Sequence, residues 1–170
     1  GILGRDEPLT MKRMSPFLLM DYAPAHYFPP NTGAPRGVAS HPHRGIETVT
    51  IAYKGRVEHH DSSGGGGVIA EGDVQWMTSG SGILHKEYHE KKFSKKGGDM
   101  QMVQLWVNLP AKDKMTAPKY QNLNKKNITK VDLEDNSGTI HIIAGQFENH
   151  KGPASTFSPL NLFNINLKKG

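Results

Sequence analysis

Two short segments carry the side chains best suited to chemistry. The first, Ser40-His41-Pro42-His43-Arg44-Gly45-Ile46-Glu47, sets two imidazoles two residues apart. The second, Gly80-Ser81-Gly82-Ile83-Leu84-His85-Lys86-Glu87, sets an imidazole two residues before a carboxylate. Alternate side chains of an extended strand share a face, so His41 goes with His43 and His85 with Glu87. At ~3.3 Å per residue their α-carbons stand about 6.6 Å apart, a span from which two side chains can converge on one ion. Pro42 points the other way and keeps the backbone extended. If the two strands are neighbours, three imidazoles and one carboxylate meet. Such a donor set suits Fe(II), and also Mn, Co, Ni or Cu(II). Zinc, usually tetrahedral, accepts the same donors. An octahedral ion would keep two positions for water, dioxygen or substrate. A lone His-x-His says little in a chain with 9 histidines in 170 residues. Two such pairs, each beside a turn of small residues, say much more.

Ligands placed this way need strands, and the chain reads as a succession of them. Residues 46–53 are rich in β-branched side chains. Lys54-Gly55 reads as a hairpin turn, with residues 56–61 returning. Residues 62–67 form a glycine-rich loop; the run Gly64 to Gly67 lacks the context of a phosphate-binding loop. Glu71-Gly72-Asp73 is a turn before the strand Val74-Gln75-Trp76-Met77. Residues 83–90 are a further strand, 91–99 a basic loop, and 100–109 the clearest strand of all, stopped by Pro110. Residues 115–135 read as polar connection with a short strand at Val131-Asp132-Leu133, and 138–145 and 158–167 as strands. Residues 1–36 look irregular: 16–21 could be a short strand, after which Pro24, Pro29, Pro30 and Pro35 break regular structure. No stretch sustains a helical period. Short strands at a spacing of about 8–12 residues imply an all-β barrel or sandwich. The 19 glycines and 11 prolines fit a chain of many turns.

Composition narrows the function. There are no cysteines, so disulfides and thiolate metal sites are excluded. The net charge of +5 comes largely from pairs such as Lys91-Lys92, Lys95-Lys96, Lys125-Lys126 and Lys168-Lys169. These lie in loop sequence without interleaved aromatics and read as solubilising rather than as a nucleic-acid surface. No apolar run approaches the ~18 residues of a membrane helix. The first residues lack a signal-peptide layout. The expectation is a cytoplasmic protein that contacts neither membrane nor nucleic acid directly.

The same segments resemble the pirin family. The resemblance lies in His41-Pro42-His43-Arg44-Gly45-Ile46-Glu47-Thr48-Val49-Thr50 and in Gly72-Asp73-Val74-Gln75-Trp76-Met77-Thr78. It continues in Gly80-x-Gly82-Ile83-Leu84-His85-x-Glu87 and in Leu105-Trp106-Val107-Asn108-Leu109-Pro110, then Met115 and Pro118-x-Tyr120. It runs from about Pro16 to Tyr120 and more weakly beyond. It implies a cupin barrel of jelly-roll architecture holding one metal ion, usually iron, in the first of two barrels. Carried over residue by residue, the ligands fall on His41, His43, His85 and Glu87. Residues 1–125 would then form the metal-bearing barrel. Residues 126–170 would be a linker and the opening strands of an incomplete second cupin domain. The sheet edges this leaves would be covered by self-association or by the rest of a second barrel.

The resemblance also implies an activity. Some pirins resemble quercetin 2,3-dioxygenases, so the leading expectation is an iron-dependent dioxygenase that opens a flavonol such as quercetin. Its partners would be a small aromatic substrate and dioxygen, with Glu87 as catalytic base. The alternative is an iron-containing, redox-responsive binding protein that regulates a transcription factor or metabolic enzyme through a protein partner, without turnover. Other cupins draw their carboxylate from the position of Glu47. It lies four residues past His43, about 13 Å along a straight strand, so Glu87 is the preferred ligand and Glu47 is expected either to support a ligand or to be a salt-bridge partner. Gln104 is expected to reach a ligand or to be a satisfied core amide. Phe17, Met77 and Trp76 are expected to pack the barrel, with Phe17 and Met77 the candidates for lining a pocket. His89 is expected at the rim. His59 and His60, being adjacent, face opposite ways and are not expected to pair. His26, His141 and His150 are read as structural or exposed.

Overall fold

The computed structural model describes residues 11–169. A helical turn, α1 (Met11–Met14), leads into β1 (Phe17–Phe28), β2 (Gly37–His43), β3 (Ile46–Lys54) and β4 (Arg56–Asp61). Next come β5 (Gly66–Ala70), β6 (Val74–Thr78), β7 (Ile83–His89), helix α2 (Lys91–Lys96), β8 (Gly98–Asn108) and β9 (Lys119–Leu123). The chain closes with β10 (Thr129–Asp132), β11 (Gly138–Ala144), the short β12 (Gln146–Phe147) and β13 (His150–Lys151), and β14 (Leu162–Leu167).

Two antiparallel sheets make the barrel. One has five strands in the order β1-β8-β3-β6-β9, the other four in the order β2-β7-β4-β5. A third sheet, β10-β11-β14, follows. The fold is all-β, with sequence neighbours repeatedly sent to opposite sheets, as in a jelly roll.

That wiring corrects the reading of Lys54-Gly55. β3 pairs with β6 and β8, while β4 pairs with β5 and β7, so residues 54–55 are a corner between sheets and not a hairpin. Gly55 turns the corner with φ of 82°, a conformation that glycine adopts without strain, and a Cβ there would press on Met100 Sδ at 2.8 Å. Three further segments differ from expectation. β1 runs on through Pro24 as an edge strand, with its pairing to β8 interrupted between Ala23 and His26; an edge is where a strand tolerates a residue without an N–H. Residues 91–96 are helical because the Glu90 side chain accepts from the Lys92 and Phe93 N–H groups. Within the expected polar connection, residues 119–123 form a strand against β6.

The five-stranded sheet is buried on both faces, and this sorts its residues. Val49, Ile51, Val74, Trp76, Val103, Leu105 and Val107 share one face and cluster with Ile128, Ile143 and Ala144 of the C-terminal segment. Burying one such aliphatic side chain contributes roughly 1.5–3 kcal/mol, which anchors the C-terminal segment onto the outside of the barrel. The inner face carries Thr48, Thr50, Ala52, Gln75, Met77, Gln104 and Trp106, matched across the ladders. At one end this interior is apolar, with Ala52, Val57, Ile69 and Met100 packed together. Further along it turns polar, and there the histidines gather.

Candidate metal centre

Strands β2, β7 and β4 lie side by side, and their registers set the site. His41 stands opposite His85 across β2 and β7. On the other side of β7, His59 stands opposite Glu87 and Asp61 opposite His85. The turns that flank the two ligand segments are tied together. Gly45 N–H donates to Gly80 O at 2.8 Å, and Ser79 N–H donates to Ile46 O at 2.9 Å. Gly80 has a positive φ of 47°, and a Cβ there would collide with Thr116 O. The small-residue turns therefore hold the two strand ends in contact, which aligns the side chains that follow.

Three imidazoles converge. His41 Nε2 lies 3.1 Å from His43 Nε2 and 2.9 Å from His85 Nε2. His41 Nδ1–H donates to Ala39 O at 2.8 Å, which leaves the Nε2 lone pair facing its two neighbours. Burial, then the neighbouring histidines, favour the neutral form of His43 and His85. His43 is lowered by burial and by His41. His85, fully buried, is brought down to about 3 by burial and by His41, His59 and His43. Neutral imidazoles with directed lone pairs are what a divalent cation needs.

The spacing also tests the fit. With metal–nitrogen bonds of about 2.1 Å, two nitrogens at 90° stand about 3.0 Å apart, and at the tetrahedral angle about 3.4 Å. The observed 2.9 and 3.1 Å are short enough for these nitrogens to share one ion.

Glu87 sits one step to the side. His59, His85 and Glu87 form a second group able to hold a metal, sharing His85 with the group of His41 and His43. Two amides from the opposite sheet hold its carboxylate: Gln75 Nε2 donates to Oε1 at 2.6 Å and Gln104 Nε2 to Oε2 at 3.1 Å. Gln75 Oε1 in turn accepts from the Tyr120 hydroxyl at 3.3 Å. Burial and the Glu87 and Asp61 carboxylates push the Tyr120 hydroxyl well above its ordinary value, so it stays a donor. A cleft of about 240 Å³ opens beside the cluster, walled by His41, Glu87 and Gln104 with Asp21, Val38 and Met102.

Of the other expected site residues, Gln104 both lines the cleft and binds Glu87. Met77 is fully buried on the inner face, opposite Thr48 and Tyr120. Phe17 packs against the outer-face cluster, away from the histidines. Glu47 is on the outer face as well: it follows the parity of Val49, accepts from Thr78 Oγ at 2.7 Å, and supports no ligand. The Gly45 turn resets strand parity between His43 and Glu47, which the sequence spacing hides. Three residues in the network escaped the sequence reading: His59, Asp61 and Gln75. The signal was present in the alternation Val57-His59-Asp61, where an apolar inward residue fixes the facing of the two that follow. His89 is half-buried against Phe28 and Phe93 at the mouth of the cleft.

A sequence profile of the Pirin family matches residues 4–107. The chain belongs to the pirin family. Among its relatives is a Pseudomonas aeruginosa protein with the provisional name quercetin 2,3-dioxygenase, 56% identical over 94% of this chain and 55% of that protein. A pirin-like protein of Solanum lycopersicum is 38% identical over 99% of this chain and 52% of its own length. The crystal structure of a quercetin 2,3-dioxygenase from Acinetobacter baumannii superposes with a TM-score of 0.88 at 55% identity, covering 92% of this chain and 54% of that one. The chain thus spans about half the length of these pirin relatives. Among the described residues no helix is long and apolar enough to cross a membrane.

Proposed function

We propose that this chain carries the metal site of a dioxygenase that opens a flavonol-like aromatic enol. The observation that carries the reading is the convergence of three imidazoles beside an amide-held carboxylate, at the wall of a cleft. His41, His43 and His85 would hold the metal, with Glu87 completing the set. Iron(II) is the ion proposed. The donor set would also accept Mn, Co, Ni, Cu or Zn. A divalent ion so held supplies Lewis acidity toward a substrate hydroxyl and a redox partner for dioxygen.

The chain's own residues do the rest. Glu87 borders the cleft with its carboxylate oriented by Gln75 and Gln104, placed to take the enol proton as substrate enters. Val38 and Met102 present apolar surface to an aromatic ring, and the barrel behind the histidines is closed by Ala52, Val57 and Ile69. Support for the substrate class comes from the two relatives whose names specify quercetin 2,3-dioxygenase. The remainder of the longer relatives would contribute what residues 126–170 begin.

The test is oxygen uptake and carbon monoxide release by iron-loaded protein given quercetin, with metal-free and anaerobic controls. Turnover that needs both metal and oxygen is expected. Tight metal binding without oxygen uptake would overturn the enzyme reading in favour of a redox-responsive binding protein.

A further inference from the structure

His59 and Asp61 point into the barrel with both side chains fully buried, yet neither belongs to the group of His41, His43 and His85. Their hydrogen bonds have a direction. Asp61 Oδ1 accepts from Ser63 N–H at 2.9 Å, Ser63 Oγ–H at 2.7 Å and Gly65 N–H at 2.9 Å. Three donors onto one oxygen orient the carboxylate and leave Oδ2 for His59 Nε2, 3.1 Å away. A carboxylate oxygen only accepts, so His59 carries its proton on Nε2. Its Nδ1 is then the lone-pair nitrogen. That atom faces two groups, the Gln75 amide at 3.3 Å and His85 Nδ1 at 3.2 Å. For His85 Nδ1 to pair with a lone pair it must hold its own proton. The remaining nitrogen, His85 Nε2, is therefore unprotonated, and it is the atom 2.9 Å from His41 Nε2. The Tyr120 ring stacks on His59 with centroids 4.9 Å apart and planes 16° from parallel, which fixes the imidazole plane.

We propose that Asp61 and His59 form a positioning relay that locks His85 in the tautomer whose Nε2 lone pair faces His41 and His43. The proposal rests on the reading of His41, His43 and His85 as metal ligands. Ligating histidines commonly hand their second N–H to a carboxylate or carbonyl, as His41 does directly with Ala39 O. Here the carboxylate acts on His85 through an intervening imidazole, so the orientation of a ligand in β7 is set by a residue in β4.

The relay has a polarity, and that makes it testable against mere packing. In Asp61→Asn the three donors still claim the oxygen, so the amide nitrogen faces His59 Nε2. His59 must then accept there and donate from Nδ1, which forces His85 to carry its proton on Nε2, toward the metal. The change is nearly isosteric yet reverses both tautomers. His59→Gln keeps the polarity, since its amide can donate to Asp61 and accept from His85. His59→Leu removes it.

Full-length chain would be stripped and titrated with Co(II) and Ni(II) against a chromophoric chelator, with the Co(II) ligand-field spectrum recorded and apo-protein Tm followed by circular dichroism. Asp61→Asn and His59→Leu are expected to weaken metal binding roughly 10–100-fold and to change the cobalt spectrum, and His59→Gln to stay within about threefold of the parent. Asp61→Asn binding as tightly as the parent would overturn the relay. So would His59→Gln falling as far as His59→Leu. His41→Ala serves as the reference: if it too binds cobalt normally, the metal-site reading fails. If it loses cobalt while Asp61→Asn does not, only the relay fails.

Discussion

Gln75 and Glu87 are joined by a 2.6 Å hydrogen bond that ties the five-stranded sheet to the four-stranded one at the level of the histidines. The same amide nitrogen lies 3.3 Å from His59 Nδ1, and its carbonyl accepts from Tyr120. One fully buried side chain therefore sets the position of the carboxylate and braces the imidazole behind it. Gln75→Leu would leave Glu87 with Gln104 as its one amide donor. The expected outcome is a loss of roughly 10–100-fold in metal affinity or oxygen uptake. Gln104→Leu should cost less, because Glu87 keeps its shorter bond. Metal titration and an oxygen electrode on the two variants check the order.

The ligand set predicts a graded response to alanine. His41 faces both other imidazoles, so His41→Ala should abolish most metal binding. Glu87→Ala should weaken it and, in addition, take from the Gln75 and Gln104 amides their shared acceptor, leaving them His59 Nδ1 and Thr50 Oγ1, at a cost of at most about 1–3 kcal/mol of stability. Metal analysis of each purified variant, beside a thermal melt, separates the two effects. Metal occupancy at parental levels in His41→Ala would remove the basis of the site.

How much of this was legible in the sequence follows from which distances are local. The pairs His41/His43 and His85/Glu87 share faces because strand alternation is a two-residue property; two like-shaped segments beside small-residue turns pointed to the approach of His41, His43 and His85, whereas Glu87 groups with His85 and His59. His59 was not. The comparison with its neighbour His60 asks only about local facing, whereas its partners, His85 and Glu87, come from a register between β4 and β7 that no local rule specifies. For Glu47, counting along a straight strand keeps it out of the ligand set but ignores the Gly45 turn, which puts it on the outer face, bonded to Thr78 and to no ligand. Gly55 shows the same limit for the fold. A glycine with positive φ serves a hairpin and a sheet-to-sheet corner equally well, and long-range pairing decides between them. The helix at residues 91–96 is too short for periodicity to reveal, and its signal was the Glu90 cap.

The placement of Glu47 yields a prediction of its own. Burial raises its carboxyl above the ordinary 4.5, against the opposing pull of the Thr78 hydrogen bond and the Lys119 charge. A carboxyl raised in the folded state gives stability below its unfolded value and loses it as pH rises through the folded one. At pH 8 the native protein therefore carries a buried anion that Glu47→Gln would not. The variant should melt higher than the parent at pH 8, with the gap closing toward pH 4, and its metal content should be unchanged. Loss of metal in Glu47→Gln would return the residue to the site.

Glu90 behaves in the reverse sense. Burial alone would raise it, but the Lys92 and Phe93 N–H groups and Arg56, whose Nε lies 3.3 Å from Oε2, outweigh burial and hold it below the ordinary 4.5. A depressed carboxyl contributes stability that is complete above its unfolded value and is lost as pH falls through the folded value. Removing the charge while keeping the shape, Glu90→Gln, should destabilise by about 1 kcal/mol at pH 7, the usual size of a lost helix cap. The deficit should shrink as pH falls below about 4.5 and vanish once the native carboxyl is itself protonated. Chemical denaturation of parent and variant at pH 7, 5 and 3 measures the gap. A deficit of equal size at all three would mean that Glu90 acts through packing and not through its charge. Since α2 stands between β7 and β8, which carry His85, Glu87 and Gln104, loosening its first turn should also raise hydrogen exchange at the ends of both strands before the barrel as a whole unfolds.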